Sequence, residues 1–163
     1  AGEATPAKLQ VAVEKGGESA LVINEIVPSN KNIKKDPQGD YDDWIEIHNT
    51  SDAEVKLDGY HLSDNSENLQ KWAFPDGLTI AGGGFLLVWA DEDGKDNGEE
   101  DGGLHANFKL SKDGEKLILS DGSGAPVDIV EFGSIGTDES WARKPASPQD
   151  WEEQLPSPGT ANR

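Results

Sequence analysis

The hexapeptide WIEIHN, which begins at Trp44, alternates strictly between two kinds of side chain. Ile45 and Ile47 point to one side of an extended chain, whereas Trp44, Glu46 and His48 point to the other. A period of two residues is typical of a β-strand whose two faces have different surroundings. The second face combines an aromatic ring with a carboxylate, which is unusual for a core face and for a solvent face alike.

Short apolar segments of the same kind recur along the chain, and no stretch sustains the period of an α-helix. About nine or ten short strands, spaced at intervals of roughly 8–15 residues, predict an antiparallel β-sandwich or barrel. The segment FLLVWA at 85–90 is nearly all apolar, which predicts a central strand buried on both sides.

Several local assignments follow from the turn residues. The pair Asp58-Gly59 predicts a hairpin between strands at 54–57 and 60–63. A further strand is expected at 107–110, and the last strand of the chain is expected at 140–144. From Pro145 onward, the proline-rich sequence predicts a tail.

The chain length predicts one domain with a substantial core, because 163 residues bury roughly 70% of their extended surface on folding. Residues 1–19 are expected to form a linker or an edge strand, and residues 20–163 the domain. The sequence has no methionine, even at position 1, so we expect an excised domain or a processed product. It also has no cysteine, which excludes disulfides, thiolate metal sites and cysteine nucleophiles.

The net charge of −18 arises from 32 acidic and 14 basic residues. Because this charge repels phosphate, nucleic acid is not an expected partner. No apolar run approaches the roughly 20 residues of a membrane span, so this segment is not expected to insert into a membrane. The excess of acidic residues has two possible explanations: solubility or adaptation to salt, or the binding of divalent cations.

An ordered set of short motifs resembles the lamin-tail domain family in its bacterial form, with coverage of about residues 20–163. The matching pieces are Ile23-Asn24-Glu25-Ile26, Trp44-Ile45-Glu46-Ile47 with Asn49, Leu57 to Asp64, Trp72-Ala73-Phe74-Pro75, the glycines before Phe85, Lys116 to Asp121, Val127-Asp128, and the closing Pro158-Gly159 with Asn162.

The resemblance implies an immunoglobulin-like antiparallel β-sandwich. In nuclear lamins such a module follows a coiled-coil rod and mediates protein contacts. In bacteria, similar domains occur in secreted or cell-envelope multidomain proteins, beside enzymes or adhesion modules. This chain has no heptad segment and carries an acidic insertion at 91–103, so a nuclear location is not expected. The resemblance supplies no catalytic residues.

The insertion at 91–103 is the first candidate for a metal site, and Ca²⁺ is the candidate cofactor. Asp91, Asp93, Asp96 and Glu100 are spaced so that hard oxygens could converge on one calcium ion, with glycines permitting a tight turn. The EF-hand pattern is absent, because a lysine takes the third ligand position. The alternative is a solvated acidic loop without metal. A second acidic cluster consists of Asp40, Asp42 and Asp43.

Three polar residues lie inside apolar strands: Asn24, Glu25 and Glu46. We expect them to be structural, with hydrogen bonds to the backbone of an adjoining loop that fix how the strands meet the 28–43 crossover. No histidine pair, GxSxG elbow or phosphate-binding loop is present, so the chain is not expected to be an enzyme. The residual enzymatic alternative is a carboxylate-based hydrolase that uses Glu25 or Glu46.

Trp141 and Trp151 lie in the proline-rich final segment and are the candidates for stacking against a ligand. The alternative is that they pack the tail onto the domain. We expect a noncatalytic interaction or spacer module of a larger, secreted or cell-envelope bacterial protein, with protein modules or cell-surface components as partners. The runner-up is a carbohydrate-binding module attached to a glycan-active enzyme, with a glycan as partner.

Overall fold

The computed structural model describes residues 19–92 and 103–163. This part of the chain forms strands and turns, and it contains no helix with the length and apolarity needed to cross a bilayer. Its twelve strands are, in order, β1 (Leu21–Val27), β2 (Asp43–Asn49), β3 (Val55–Lys56), β4 (His61–Ser63), β5 (Trp72–Ala73), β6 (Thr79–Ile80), β7 (Phe85–Ala90), β8 (His105–Ala106), β9 (Glu115–Ser120), β10 (Pro126–Phe132), β11 (Ser140–Lys144) and β12 (Ser147–Gln154).

The strands form two main sheets and one small one. The six-stranded sheet has the order β12-β11-β1-β2-β7-β8, and the four-stranded sheet has the order β10-β9-β4-β5. Strands β3 and β6 form a separate pair. Among these strands every pairing is antiparallel except that of β7 with β8. The prediction of an all-β, immunoglobulin-like sandwich is confirmed, although the described residues alone contain more strands than the nine or ten expected.

The core lies between the two larger sheets. Side chains with no exposed surface meet there from both sheets, among them Ile23, Ile47 and Val88 on one side and Leu62 and Leu119 on the other. Burying each such side chain fully stabilises the fold by about 1.5–3 kcal/mol. The sandwich is therefore held together mainly by this apolar layer.

The outer face of the six-stranded sheet is also partly apolar. Trp44 and Trp89 are opposite each other in the β2–β7 ladder, and both pack against Val27 on the side away from the core. The strict alternation of β2 places Glu46 on the same outer face as Trp44. This face is therefore not a simple solvent-facing surface.

A β-bulge interrupts the pairing of β1 with β2. The register shifts between Ile23 and Glu25, so that Asn24 has no cross-strand partner. Beside the bulge, the Ile23 amide donates to Asp128 Oδ2 of β10 at 2.7 Å, and Arg143 Nη2 donates to the same oxygen at 2.6 Å. A partly buried ion pair thus joins β11 of one sheet to β10 of the other.

The predicted hairpin at Asp58-Gly59 is wrong. Strand β3 pairs with β6, whereas β4 pairs with β5 and β9, so the turn carries the chain from one sheet to another. Gly59 has φ of +82°, and a Cβ at that position would lie 2.9 Å from the Cα of Gly122. Glycine is therefore required both by the backbone angle and by close packing of two turns.

Three further local predictions are corrected. The strand near 107–110 is instead β8, two residues earlier, and Lys109 makes only an isolated bridge to Asp91. Strand β11 is not the last strand, because β12 follows it at the edge of the six-stranded sheet; β12 contains Pro148, which an edge strand tolerates. Strand β7 is not buried on both sides throughout, since its first three residues are partly exposed.

Candidate functional site

A pocket with acidic walls forms where the β1–β2 connection meets the end of β7 and the start of β8. Its volume is about 300 Å³. We call this site the acidic pocket and define it by Asp36, Asp40, Asp42, Asp91 and His105. The parallel β7–β8 pairing places Trp89 beside His105, so Asp91, two residues after Trp89, comes close to the imidazole.

Two overlapping sets of side chains in the acidic pocket have the spacing of metal ligands. One ligand atom from each of Asp36, Asp40 and Asp42 lies within 4.8 Å of the others, and the same holds for Asp36, Asp91 and His105. His105 is almost fully buried, and its Nδ1 lies 2.5 Å from Asp91 Oδ2. Asp36 is buried as well, and its Oδ1 accepts a hydrogen bond from the Asp40 amide at 2.8 Å.

The charges of the acidic pocket repel one another. The pKa of Asp42 is raised first by burial and then by the neighbouring carboxylates of Asp91, Asp36 and Asp40. A bound cation would relieve this repulsion. Three carboxylates suit a hard ion such as Ca²⁺, whereas the set that includes an imidazole nitrogen also suits Zn²⁺.

The structure brings together residues from both predicted metal clusters. Asp91 of the first cluster lies in the same pocket as Asp40 and Asp42 of the second. Asp36 and His105 were missed by the sequence analysis, because neither belongs to a local acidic motif. The remaining members of the first cluster lie outside the described residues: Asp93, Asp96 and Glu100.

Asp43 does not join the acidic pocket. It begins β2, accepts hydrogen bonds from the backbone of Asn30 and Leu110, and lines a neighbouring pocket with Lys109. Burial raises the pKa of the Asp43 carboxyl to about 7. These backbone contacts indicate a structural role for Asp43 rather than a ligand role.

A second polar site lies on the outer face of the six-stranded sheet, where the C-terminal segment 155–163 folds back across β1 and β2. The Ser157 amide donates to Glu25 Oε1 at 3.0 Å, and the Gly159 amide donates to Glu46 Oε2 at 2.6 Å. We call this site the tail cluster and define it by the residues that make these contacts: Asn24, Glu25, Glu46, Ser157, Gly159 and Asn162.

The side chains of the tail cluster are bonded to one another. Asn24 Nδ2 donates to Glu46 Oε1 and to Asn162 Oδ1, each at 3.0 Å. Asn162 Nδ2 donates to the Arg143 carbonyl at 2.8 Å, and Ser140 Oγ donates to Glu25 Oε2 at 2.7 Å. We expected the backbone of an adjoining loop to supply the partners of these strand residues; the structure supplies them from the C-terminal segment and β11.

The two carboxylates of the tail cluster are costly to ionise. Glu25 and Glu46 are opposite each other in the β1–β2 ladder, and neither has exposed surface. Burial raises the pKa of both, that of Glu46 to about 7, although the hydrogen bonds from Gly159 and Asn24 oppose the shift at Glu46. No substrate can reach either carboxylate while the C-terminal segment covers them.

The two candidate stacking residues contact each other. The rings of Trp141 and Trp151 are nearly parallel, at 11°, with centroids 6.3 Å apart. The guanidinium of Arg143 lies 4.6 Å from the centroid of the Trp151 ring. Both indoles are partly buried against the core, and they also contact each other within the β11–β12 hairpin. Much of their surface is therefore not accessible to a ligand.

Comparison with known proteins identifies the family of the chain. The family model described as Lamin Tail Domain matches residues 15–134. No curated protein matches the chain. The matched range includes β1 to β10, the sheet positions of Asn24, Glu25 and Glu46, and the whole acidic pocket. It ends before β11, β12 and the C-terminal segment that covers the carboxylates.

Substituting Glu46 tests the tail cluster. In Glu46→Ala, the Gly159 amide loses its acceptor and the Asn24 side chain loses one of its two acceptors; Asn24 is buried, and an unpaired buried donor costs about 1–3 kcal/mol. At pH 5 we expect the free energy of unfolding to fall by roughly 1–3 kcal/mol, measured by urea denaturation. The matched control is Glu131→Ala, which removes an exposed glutamate of β10. Equal stability of the two variants would contradict the assignment.

The raised pKa of Glu46 also predicts a pH dependence. Its carboxyl has a pKa of about 7 in the folded chain and an ordinary value of 4.5, so the folded state holds the proton more tightly. This tighter proton binding adds at most roughly 3 kcal/mol to the free energy of unfolding. The contribution is fully present below pH 4.5 and is lost as the pH rises to about 7.

The wild-type unfolding free energy should therefore fall between pH 5 and pH 7. In Glu46→Gln, the slope should be shallower by about 1 kcal/mol per pH unit, because this variant cannot titrate. Denaturation curves at half-unit intervals of pH measure both slopes. Identical slopes would show that Glu46 titrates normally in the folded chain.

Proposed function

Because the chain belongs to the lamin tail domain family, we propose that it is a noncatalytic interaction module. We propose further that it is part of a larger, secreted or cell-envelope bacterial protein. Lamin tail domains are immunoglobulin-like and generally noncatalytic. The observation that carries the proposal is the burial of Glu25 and Glu46. These two carboxylates are the candidates for acid–base chemistry that lie inside apolar strands, and both accept hydrogen bonds from the C-terminal segment.

A turnover assay tests the noncatalytic assignment. The whole chain would be incubated with chromogenic glycosides and esters, with Glu46→Gln as the matched variant. We expect no product from either protein above the uncatalysed rate. Turnover by the wild type that Glu46→Gln abolishes would contradict the proposal and favour a carboxylate-based hydrolase.

A secreted or envelope location is tested separately, by fractionating the source cells and detecting the parent protein with an antibody against this domain.

Calcium stabilisation is the second part of the proposal, and the acidic pocket supports it. The carboxylates of Asp36, Asp40 and Asp42 are close enough to share one ion, and two further ligand candidates, Asp91 and His105, line the same pocket. Calcium takes six to eight oxygen ligands, so water and backbone carbonyls would complete the coordination. Calcium at this position would tie the β1–β2 connection to the end of β7.

Thermal unfolding with EDTA and with added calcium tests this part. A ligand present at 100 times its Kd, and binding only the folded state, adds about 2.7 kcal/mol and raises the Tm by roughly 5–10 °C. We expect this rise in the wild type and in Asp52→Asn, an exposed control, but not in Asp40→Asn. No rise in any protein would remove calcium from the account. Equal rises in all three would place the ion elsewhere.

The carbohydrate-binding alternative depends on Trp141 and Trp151. Their partial exposure and the neighbouring Arg143 would suit a sugar ring stacked at the edge of the pair. An array of soluble glycans distinguishes the two functions. The interaction-module proposal expects no glycan to bind, whereas binding that Trp151→Ala abolishes would favour the carbohydrate-binding module.

A further inference from the structure

A third pocket lies on the outer face of the six-stranded sheet, next to the tail cluster. Its volume is about 290 Å³, near the lower end of the range for small-ligand sites. Strands β1, β2, β7 and β11 contribute to its walls, together with the β11–β12 turn and the C-terminal segment. We call it the cationic pocket, because its ionisable lining residues are His48, Arg143 and Lys144, and no carboxylate of residues 19–92 or 103–163 lines it.

Most of the cationic pocket is apolar. Val22, Phe85, Pro145, Pro148 and Ala161 line it with side chains that carry no polar atom. A bound hexose needs hydrogen-bond partners for its hydroxyl groups, and this lining offers few. An aliphatic or aromatic side chain is a better match, because it would exchange water for apolar surface.

One wall of the cationic pocket is preorganised. The imidazole of His48 stacks on the ring of Phe85, with centroids 4.3 Å apart and an angle of 12°. His48 Nδ1 lies 3.0 Å from the Gly84 carbonyl oxygen, which can only accept, so Nδ1 carries the proton. This hydrogen bond fixes the ring and leaves Nε2 for another partner.

The cations of the cationic pocket differ in their availability. The charge of Arg143 is paired with Asp128, and its other two guanidinium nitrogens donate to the Ile23 and Pro148 carbonyls. Lys144 is half-buried, and within the part of the chain that the structure describes no carboxylate pairs with it. A lysine without a carboxylate partner beside an apolar cavity favours a single anionic group at that position, against the long-range repulsion from the net charge of −18.

We propose that the cationic pocket binds an acidic peptide of a partner protein, seating an apolar side chain against Val22 and Phe85 with an adjacent carboxylate beside Lys144. The proposal rests on the proposed function as an interaction module and names the chemistry of its partner. It is independent of the acidic pocket, which lies at the opposite end of β2: Asp42 of the acidic pocket immediately precedes that strand, whereas His48 and Thr50 are at its other end.

The test titrates the whole chain with the capped peptide acetyl-Gly-Leu-Glu-Gly-amide and follows backbone amide shifts by NMR. The neutral control peptide carries Gln in place of Glu. We expect saturable shifts at Val22, Thr50 and Phe85 with a millimolar Kd, and binding of the neutral peptide at least threefold weaker. Because exposed charge pairs are weak and screened, added salt should also weaken binding of the acidic peptide.

Lys144→Gln should weaken binding of the acidic peptide by about three- to tenfold, with an unchanged Tm. The matched control is Lys56→Gln, an exposed lysine of β3, which should bind like the wild type. Equal binding of the two peptides, no shifts at 10 mM peptide, or no effect of Lys144→Gln would overturn the proposal. Shifts at the same amides with glucuronate alone, but not with the peptide, would replace it with a saccharide site. None of these outcomes bears on the turnover assay, so the noncatalytic assignment stands or fails separately.

Discussion

The C-terminal segment is held on the six-stranded sheet by backbone amides that donate to two buried carboxylates. Glu25 and Glu46 lie on the face opposite the apolar core, side by side in adjacent strands. Such a pair would be strongly destabilising without partners, because ionised groups lose solvation on burial. The amides of Ser157 and Gly159 supply those partners, and the segment in turn keeps water away from the carboxylates. The hydrogen bonds of the two carboxylates thus attach the C-terminal segment to the sheet.

This attachment shapes the surface beside it. Asn162 bonds to Asn24 and also lines the cationic pocket, so one wall of that pocket exists only while the C-terminal segment is in place. Arg143 links the same region to the four-stranded sheet through Asp128. The outer face of the six-stranded sheet thus carries the tail cluster, whose carboxylates are covered, and the cationic pocket, which is open to solvent. Of these two sites, the cationic pocket is the better candidate for contact with a partner.

Much of the fold could be predicted from the sequence, because alternation with a period of two is a local property of a strand. The alternation in WIEIHN predicted both faces of β2 correctly. Strand partners are not local, and for that reason the turn at Asp58-Gly59 was assigned to a hairpin although it joins two sheets. The same limit applies to the sites. Nothing near His105 in the sequence indicates that the parallel β7–β8 pairing brings it to Asp91, and nothing near Glu46 indicates Gly159 as its partner.

Hydrogen exchange of individual amides tests most directly whether the buried carboxylates hold the C-terminal segment. The Ser157 and Gly159 amides would be followed by NMR in the wild type and in Glu46→Gln at pH 6. We expect both amides to exchange far more slowly than in an unstructured peptide, and the substitution to speed exchange at Gly159 more than at Ser157. If both amides of the wild type exchanged at the rate of an unstructured peptide, the C-terminal segment would not be held by the buried carboxylates.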